Sequence, residues 1–224
     1  MLKCTSLTLS YKNKLVLKDV SFTAEYGSIT GLLGMNGSGK STLLHALSGV
    51  KKIKQGEISL DDISVNDPSY MKNFGLVSQE NPLIEELSAL DNIRLWTPLS
   101  KKEILEKIKL EPFASLGVAS FIDTPIKAMS GGMKKRLSIL SVLINEPRVL
   151  LLDEPFAALD LVAKKDISDF LKKFAMAGGM VIIASHEEKI FELCSDIYLL
   201  KNTSMRDIKN NGINGDLLIS LLKE

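Results

Sequence analysis

The sequence predicts an α/β fold with a mostly parallel sheet and helices packed against it. Three short apolar runs, at 29–33, 149–152 and 180–184, are typical of strands that are buried on both faces. Segments with helical spacing follow the first two of these runs, at 41–50 and 164–175. Because successive parallel strands need a long crossover, usually a helix, this alternation favours a parallel sheet.

The first sixty residues predict a different kind of sheet. Leu7, Leu9 and Tyr11 alternate with polar residues, and the segment 20–24 repeats this period of two. A further strand pair is predicted at 56–63. Half-buried strands of this kind are typical of antiparallel sheets. We therefore expect an N-terminal antiparallel β-subdomain beside the parallel sheet.

The strand signals fade in the middle of the chain. After a short strand at 75–78, the segments 87–93 and 102–109 show helical spacing with charges of both signs on the outer face. This pattern predicts an inserted α-helical subdomain. The chain of 224 residues suits one large domain. We expect a single domain, 1–224, with a core at 1–80 and 146–200, the helical insertion at 81–145 and a C-terminal tail at 201–224.

Composition excludes several classes of function. The net charge of only +1 shows no excess of basic residues of the kind that nucleic-acid-binding proteins usually have, so we expect no nucleic-acid partner. No apolar run approaches the roughly 18–20 residues of a transmembrane helix, and the first residues lack the layout of a secretory signal. Cys4 and Cys194 are too few and too far apart for a disulfide framework or a zinc site. We therefore expect a cytoplasmic protein that reaches a membrane only through partners.

A glycine-rich segment between a predicted strand and a predicted helix matches the phosphate-loop pattern Gly-x-x-x-x-Gly-Lys-Ser. Its glycines let backbone N–H groups turn toward an anion, and the helix N-terminus adds a positive end. Lys40 is expected to reach the β- and γ-phosphates of ATP, and Ser41 to ligate Mg²⁺. The fold is therefore predicted to contain a P-loop NTPase core. The expected nucleotide-binding residues are Gly34, Asn36, Gly37, Ser38, Gly39, Lys40, Ser41 and Thr42.

Two acids end the predicted strand at 149–152. The carboxyl edge of an open α/β sheet is where ligands bind, so Asp153 and Glu154 are expected to face the nucleotide. Asp153 is predicted to hold Mg²⁺, a hard cation that prefers oxygen ligands. Glu154 is predicted to polarise the attacking water as a general base.

The run Ser130-Gly131-Gly132 lies between these two motifs and opens a basic helix. Serine is a favourable N-cap, and the glycines let backbone amides approach an anion. Alone, such a run is typical of an ordinary capped helix. In this order with the phosphate loop and the acids, it resembles the signature motif of the ATP-binding-cassette (ABC) ATPases, the engines of ABC transporters. The resemblance covers approximately residues 2–200.

The resemblance implies roles for four further residues. Gln79 ends a predicted strand and matches the family's glutamine that meets Mg²⁺ and the attacking water. His186 follows the run 181–184, taken as the last core strand, and matches a histidine that contacts the γ-phosphate. Tyr11 matches an aromatic residue that stacks on adenine. Asp160 matches an aspartate on a loop that crosses the dimer interface.

The resemblance also implies how the chain acts. In this family the signature run contacts the γ-phosphate bound by the opposite subunit, so two subunits enclose two ATP molecules. We therefore expect an Mg²⁺-dependent ATPase that works as a homodimer or a heterodimer. Its partners would be transmembrane permease subunits, which hold it at the inner face of the cell membrane. The cargo is not predicted.

Two residues depart from the family's signature pattern. Met129 replaces the usual leucine, and Met133 replaces the usual glutamine, which removes a polar side chain near the nucleotide. The serine hydroxyl and the glycine amides are unchanged, so we expect hydrolysis to survive. The Met133 form is similar to a branch rich in exporters, and about 24 residues follow Leu200, fewer than in many importers. Both observations favour export.

Three alternatives stay open. The first is ATP-driven import. The second is a soluble non-transport ABC ATPase of translation or DNA repair, although tandem cassettes, long coiled coils and zinc-binding cysteines are not evident. The third is a small-molecule kinase with a phosphate loop, which gives no reason for Ser130-Gly131-Gly132 or for His186.

Overall fold

The computed structural model describes residues 1–11, 14–80, 82–187, 190 and 192–208. Within these residues the strands form two sheets, and the helices lie between and beside them. The strands are β1 Leu2–Tyr11, β2 Lys14–Ala24, β3 Ile29–Leu33, β4 Gln55–Leu60, β5 Ile63–Ser64, β6 Phe74–Val77, β7 Val149–Asp153, β8 Met180–Ser185, β9 Asp196–Lys201 and β10 Ser204–Ile208. The helices are α1 Lys40–Leu47, α2 Ala89–Arg94, α3 Lys101–Lys107, α4 Gly131–Leu143 and α5 Leu161–Met176.

The larger sheet is mostly parallel, as the sequence predicts. Its strand order is β10-β9-β3-β8-β7-β6, and every neighbouring pair is parallel except β9 and β10. β3, β7 and β8 are buried along their whole length, which explains their continuous apolar sequences. The carboxyl ends of these strands therefore meet at one edge of the sheet, which positions the functional site.

The sequence does not predict β9 and β10. The run at 181–184 is therefore not the last core strand, because β9 pairs with the far side of β3. The range 201–224, expected to be a tail, begins with residues of β9 and β10, and residues 209–224 lie outside the described part. β9 lies between β3 and β10 and contains the apolar run 197–200, which the sequence analysis overlooks. β10 is the edge strand, and Arg206 and Asp207 interrupt its apolar pattern, so it lacks the signal of a central strand.

The smaller sheet is antiparallel, with the order β2-β1-β4-β5, and confirms the predicted N-terminal subdomain. The pairing of β1 with β4 shifts register between Thr5 and Thr8. Within that shift Ser6 has φ +48°, and Gly56 on β4 has φ +94°. The two unusual residues form a bulge that bends β1 as it approaches the nucleotide-binding edge.

Two hydrophobic cores lie on opposite faces of the parallel sheet. On one face, Leu43 and Leu47 of α1 share a core with strands of both sheets. On the other, Phe170 and Leu171 of α5 share a core with the helical segment. Side chains of β7 alternate between the two cores, as the period of a strand requires. Helix α1 is thereby fixed between the two sheets, and with it the residue at its N-terminus.

The segment between β6 and β7 is helical, with α2, α3, α4 and three 3₁₀ turns at Phe113–Leu116, Val118–Phe121 and Ile126–Ala128. Asn92 of α2 is fully buried, and its amide exchanges hydrogen bonds with the backbone N and O of Ile84. Helix α3 begins with a capping box between Ser100 and Glu103. Among the described helices, none is long and apolar enough to cross a membrane.

The bulge gives a stability prediction. A Cβ at Gly56 would lie 2.6 Å from Leu7 Cα, whereas a Cβ at Gly178, with nearly the same φ of +93°, would have nothing within 4 Å. Gly178→Ala should therefore cost only the left-handed strain, about 1–2 kcal/mol. Gly56→Ala adds a backbone clash and should cost about 1–3 kcal/mol more. Urea unfolding of the two variants measures the difference; equal losses of stability would contradict the bulge geometry.

Candidate nucleotide-binding site

The phosphate loop connects the end of β3 to the start of α1. Gly37 and Gly39 have φ of +82° and +106°, conformations that favour glycine. A Cβ at Gly39 would also lie 2.9 Å from Val16 Cγ1, so the loop packs directly on β2. Because the two glycines reverse the chain direction, the backbone forms a cradle in front of the N-terminus of α1.

Lys40 is the first residue of α1 and is only 5% exposed. Its Nζ donates hydrogen bonds to Gly34 O at 2.7 Å and to Met35 O at 3.3 Å. The same ammonium forms an ion pair with Glu154 Oε1 at 3.5 Å. The side chain thus folds back over its own loop and reaches the acid that follows β7.

Glu154 is the centre of a buried polar cluster. Its φ is +46°, and its backbone N–H donates to Ala184 O at 2.9 Å, which fixes the turn after β7 against β8. Oε1 accepts a hydrogen bond from His186 Nδ1 at 2.9 Å, and Oε2 accepts one from Ser185 Oγ at 2.9 Å. The carboxylate is therefore oriented by an imidazole, a hydroxyl and the Lys40 ammonium.

Ser185 has no motif in the sequence, and the sequence analysis does not predict its role. It is 3% exposed, donates to Glu154 and accepts a hydrogen bond from the backbone N–H of Glu187 at 3.0 Å. Only its position could have indicated this role. Ser185 is the last residue of β8, directly before His186, and the end of β8 lies beside the end of β7. Polar residues commonly end a strand, so a serine at that position cannot be distinguished from them in the sequence.

A cavity of about 750 Å³ opens at this edge and brings together most of the predicted nucleotide-binding residues. Tyr11, Gln79, Asp153 and Glu154 line it together with the phosphate loop. It is also lined by residues without a sequence signal, from β2 and from the β9–β10 hairpin. These are Lys14, Leu15, Val16, Leu200, Lys201, Asn202 and Thr203.

The donor set of the cavity fits a nucleotide phosphate with Mg²⁺. Ser41, Gln79 and Asp153 all line it and offer oxygen atoms, the ligands that Mg²⁺ prefers. The Ser38 hydroxyl is buried and finds no hydrogen-bond partner in the described part of the chain. A buried hydroxyl without a partner is costly, and an anion in the loop would supply the acceptor. Phosphate and metal are therefore compatible with the residues present.

Tyr11 lies at the end of β1 and is 62% exposed at the mouth of the cavity. The ammonium of Lys51 lies 4.7 Å from the centroid of its ring, a cation–π contact. The exposed ring and its place on the cavity wall fit a stacking surface better than a packed core residue.

The run Ser130-Gly131-Gly132 does not line this cavity. Ser130 caps α4 by accepting a hydrogen bond from the backbone N–H of Met133, as the sequence predicts for an N-cap. Gly132 packs on the start of α5, since a Cβ there would lie 2.7 Å from Ala163 Cβ. Asp160 caps α5 through Ala163 N. The signature run and Asp160 are therefore neighbours of each other and separate from the cavity of their own chain.

Two exposed apolar side chains lie near the signature run. Leu161 and Val162, which follow Asp160, are 77% and 70% exposed. Met129 is buried, and Met133 packs partly buried against the core below α4. The Met133 substitution therefore exchanges a polar side chain for one that anchors the helix to its own subdomain.

Together the fold and the cavity define a P-loop nucleotide-binding protein. Residues 17–157 match the model of the ABC transporter family. A putative ABC transporter ATP-binding protein of Pyrococcus furiosus is 34% identical over 96% of this chain and 81% of its own length. The chain belongs to the ABC transporter family, in its group of ATP-binding proteins, and this confirms the resemblance of the three motifs.

Two further similarities bear on assembly and direction. A solved dimeric ATP-binding cassette in a post-hydrolysis state, with ADP and Pi bound, is 28% identical, with a TM-score of 0.78 over 95% of this chain and 100% of its own. The spermidine/putrescine import ATP-binding protein PotA of Mycoplasma mycoides is 32% identical over 90% of this chain, which spans 59% of that protein. Relatives of this chain thus include an import protein, and the expected export direction stays a prediction.

The Lys40–Glu154 contact predicts a measurable coupling. Both side chains are 6% exposed at 3.5 Å, whereas the Lys165–Asp169 pair is closer, at 2.7 Å, but exposed. A double-mutant cycle of Lys40→Met and Glu154→Gln in nucleotide-free protein should give a coupling of about 1–3 kcal/mol. The cycle of Lys165→Met and Asp169→Asn should give about 0.3–0.5 kcal/mol. Urea unfolding measures both; a larger coupling in the exposed pair would contradict the buried ion pair.

Proposed function

We propose that this chain is the ATP-binding and ATP-hydrolysing subunit of an ABC transporter. Two subunits would dimerise around two ATP molecules and drive transport by separate transmembrane permease subunits. One observation carries the proposal: the cavity joins the phosphate loop to Glu154, while Ser130-Gly131-Gly132 lies on a separate surface of the same chain. A half-site of each kind per chain is what a two-subunit sandwich requires, and the dimeric ADP- and Pi-bound cassette supports this arrangement.

Within this proposal the cavity residues, together with His186 beside Glu154, have separate roles. Backbone amides of the phosphate loop and the Lys40 ammonium hold the β- and γ-phosphates. Glu154 takes a proton from the attacking water, and His186 contacts the γ-phosphate. Because Lys40 pairs with Glu154 in this structure, phosphate oxygens and the carboxylate compete for the same ammonium. Binding of ATP would therefore free the carboxylate of Glu154 for its role as base.

Mg²⁺ fits the same cavity, as its donor set indicates. We propose that Ser41, Asp153 and Gln79 hold it, with Asp153 acting through water. The cation would supply charge neutralisation for the phosphates. The role of this chain's residues would be to supply oxygen donors within one cavity, Gln79 and Asp153 from the carboxyl ends of β6 and β7 and Ser41 from the start of α1.

Signature-run residues and Asp160 are proposed to complete the site of the opposite subunit. Ser130 and Gly131 are exposed at the N-terminus of α4, and the neighbouring Leu161 and Val162 present apolar surface to a partner. ATP bound to one subunit would then be contacted by the α4 N-terminus of the other. Closure with ATP and opening after hydrolysis is a two-state equilibrium that the ligand biases.

The permease partners would place this chain at the inner face of the cell membrane. Export, favoured by Met133, remains our prediction for the direction of transport, and PotA shows that relatives of this chain include an import protein. Homodimer and heterodimer both satisfy the proposal, because each chain carries both half-sites.

Glu154→Gln tests the proposed base. The amide keeps an acceptor for Ser185 but cannot take a proton, so ATP binding should persist while turnover falls by about a thousandfold or more. An ATP-bound dimer should then accumulate in size-exclusion chromatography. Glu146→Gln, at the other end of β7 and 70% exposed, is the matched control and should hydrolyse ATP at the wild-type rate. Phosphate release near wild type in Glu154→Gln would exclude Glu154 as the base.

Tyr11→Ala tests the adenine platform. Base–aromatic stacking contributes about 1–3 kcal/mol, so the Kd for ATP should rise about tenfold in isothermal titration. Inorganic triphosphate has no base, and its affinity should be the same for Tyr11→Ala and wild type. Tyr11→Phe retains the ring and should bind ATP normally. An ATP affinity unaffected by Tyr11→Ala would assign the ring to packing.

A further inference from the structure

Lys135 is a buried cation in α4. The residue is 4% exposed, although lysine is almost never buried without a partner. Burial lowers the pKa of its ammonium below the usual range, and the negative charge of Asp153 acts in the opposite direction. Because burying a charge is costly, the position of this ammonium needs a physical reason.

The ammonium of Lys135 donates hydrogen bonds to two backbone carbonyls. These are Ser78 O and Gln79 O, each at 3.3 Å. They follow β6, at the point where the chain leaves the parallel sheet for the helical segment. Lys135 therefore joins a helix of the inserted segment to the backbone of a residue that lines the nucleotide cavity.

The two basic neighbours of Lys135 behave differently. Lys134 pairs with Glu85 at 3.4 Å and Arg136 with Asp166 at 3.3 Å, both in positions partly open to solvent. The Lys134–Glu85 pair is the more exposed of the two, and pairs of that kind contribute little to stability. Lys135 instead directs its charge inward, toward the cavity edge that carries Gln79 and Asp153. The difference cannot be read from the sequence Lys134-Lys135-Arg136 alone.

Lys135 is also rigidly connected to the signature run. Ser130 caps α4, and Lys135 lies five residues later, about one and a half helical turns along the same helix. A displacement of the α4 N-terminus therefore moves the ammonium as well. The two hydrogen bonds transmit that displacement to the Ser78–Gln79 turn.

We propose that Lys135 is a positioning residue that couples the Ser130-Gly131-Gly132 run to Gln79 of the same chain. Contact of the signature run with the opposite subunit's nucleotide would thereby set the position of Gln79 in this subunit's own cavity. The inference rests on the proposed function, because it takes Gln79 as an Mg²⁺ ligand. Lys135 acts through the Gln79 backbone and touches neither nucleotide nor metal.

Lys135→Met removes the charge and all donors while it keeps a side chain of similar length. Residues that orient metal ligands typically change activity by about 10–100-fold, so kcat should fall by that factor. ATP affinity and KM should stay within twofold of wild type, since the phosphate loop is unaffected. The Mg²⁺ concentration for half-maximal rate should rise severalfold. Purely structural damage would not shift the Mg²⁺ requirement selectively.

Lys134→Met is the matched control, adjacent on the same helix and paired at the surface with Glu85. It should leave kcat and the Mg²⁺ requirement within twofold of wild type. Should Lys135→Met fail to fold, as judged by circular dichroism, Lys135→Gln is measured in its place. Its amide donates from a shorter, neutral side chain, and both parameters should move in the same direction by a smaller factor.

Equal kinetics in the Lys135 and Lys134 variants would overturn the inference, as would a raised KM with unchanged kcat. The Glu154→Gln measurement separates this failure from failure of the proposed function. Hydrolysis that depends on Glu154 but not on Lys135 would refute the coupling role alone. Hydrolysis that depends on Lys135 but not on Glu154 would refute the proposed base and leave the coupling role standing.

Discussion

The contact between Lys40 and Glu154 is the constraint on which the rest of the site depends. Each residue lies in a different βα connection of the parallel sheet, Lys40 after β3 and Glu154 after β7, and the two charges meet where these strands end. A buried charge needs compensation, so each of the two side chains stays paired with the other unless another charged group takes its place. The carboxylate oxygens of Glu154 also accept hydrogen bonds from Ser185 and His186, which hold its orientation. The phosphate loop, the acids and the end of β8 are thereby held as one unit.

The sheets supply the framework for this unit. Helix α1 lies in a core shared by both sheets, so the start of that helix cannot move without disturbing each of them. The antiparallel sheet contributes Tyr11, Lys14 and Val16 to the cavity wall. Asp153 and Glu154 lie at the carboxyl end of the parallel sheet. A nucleotide placed in this cavity would contact both sheets at once. The wall of this cavity is therefore built from two sheets of different type.

Local chemistry could be predicted from the sequence, and long-range proximity could not. The phosphate loop and the acids at the end of β7 are contiguous motifs. The sequence on either side of each motif predicts its structural context, a strand before it and a helix or turn after it. Ser185 and Lys135 depend on contacts across 31 and more than 50 residues of chain, and no local pattern marks them. β9 carries an apolar run at 197–200 that the sequence analysis overlooks. β10, the edge strand, carries Arg206 and Asp207 and lacks the apolar continuity of a buried strand. The roles of Tyr11, Gln79, His186 and Asp160 came from the family resemblance, since single residues carry no pattern of their own.

The two glycines of the signature run differ in a way that matters for genetics. A side chain at Gly132 would collide with Ala163 at the start of α5, while one at Gly131 would meet its nearest atoms only at 3.9 Å. Loss of activity after substitution of Gly132 therefore mixes a packing defect with any loss of contact to a partner. Gly131 alone reports on what approaches the helix from outside. Deleterious alleles at Gly131 and at Gly132 would give the same transport phenotype. The allele at Gly131 would act through contact with a partner, whereas the allele at Gly132 would also disturb packing on α5.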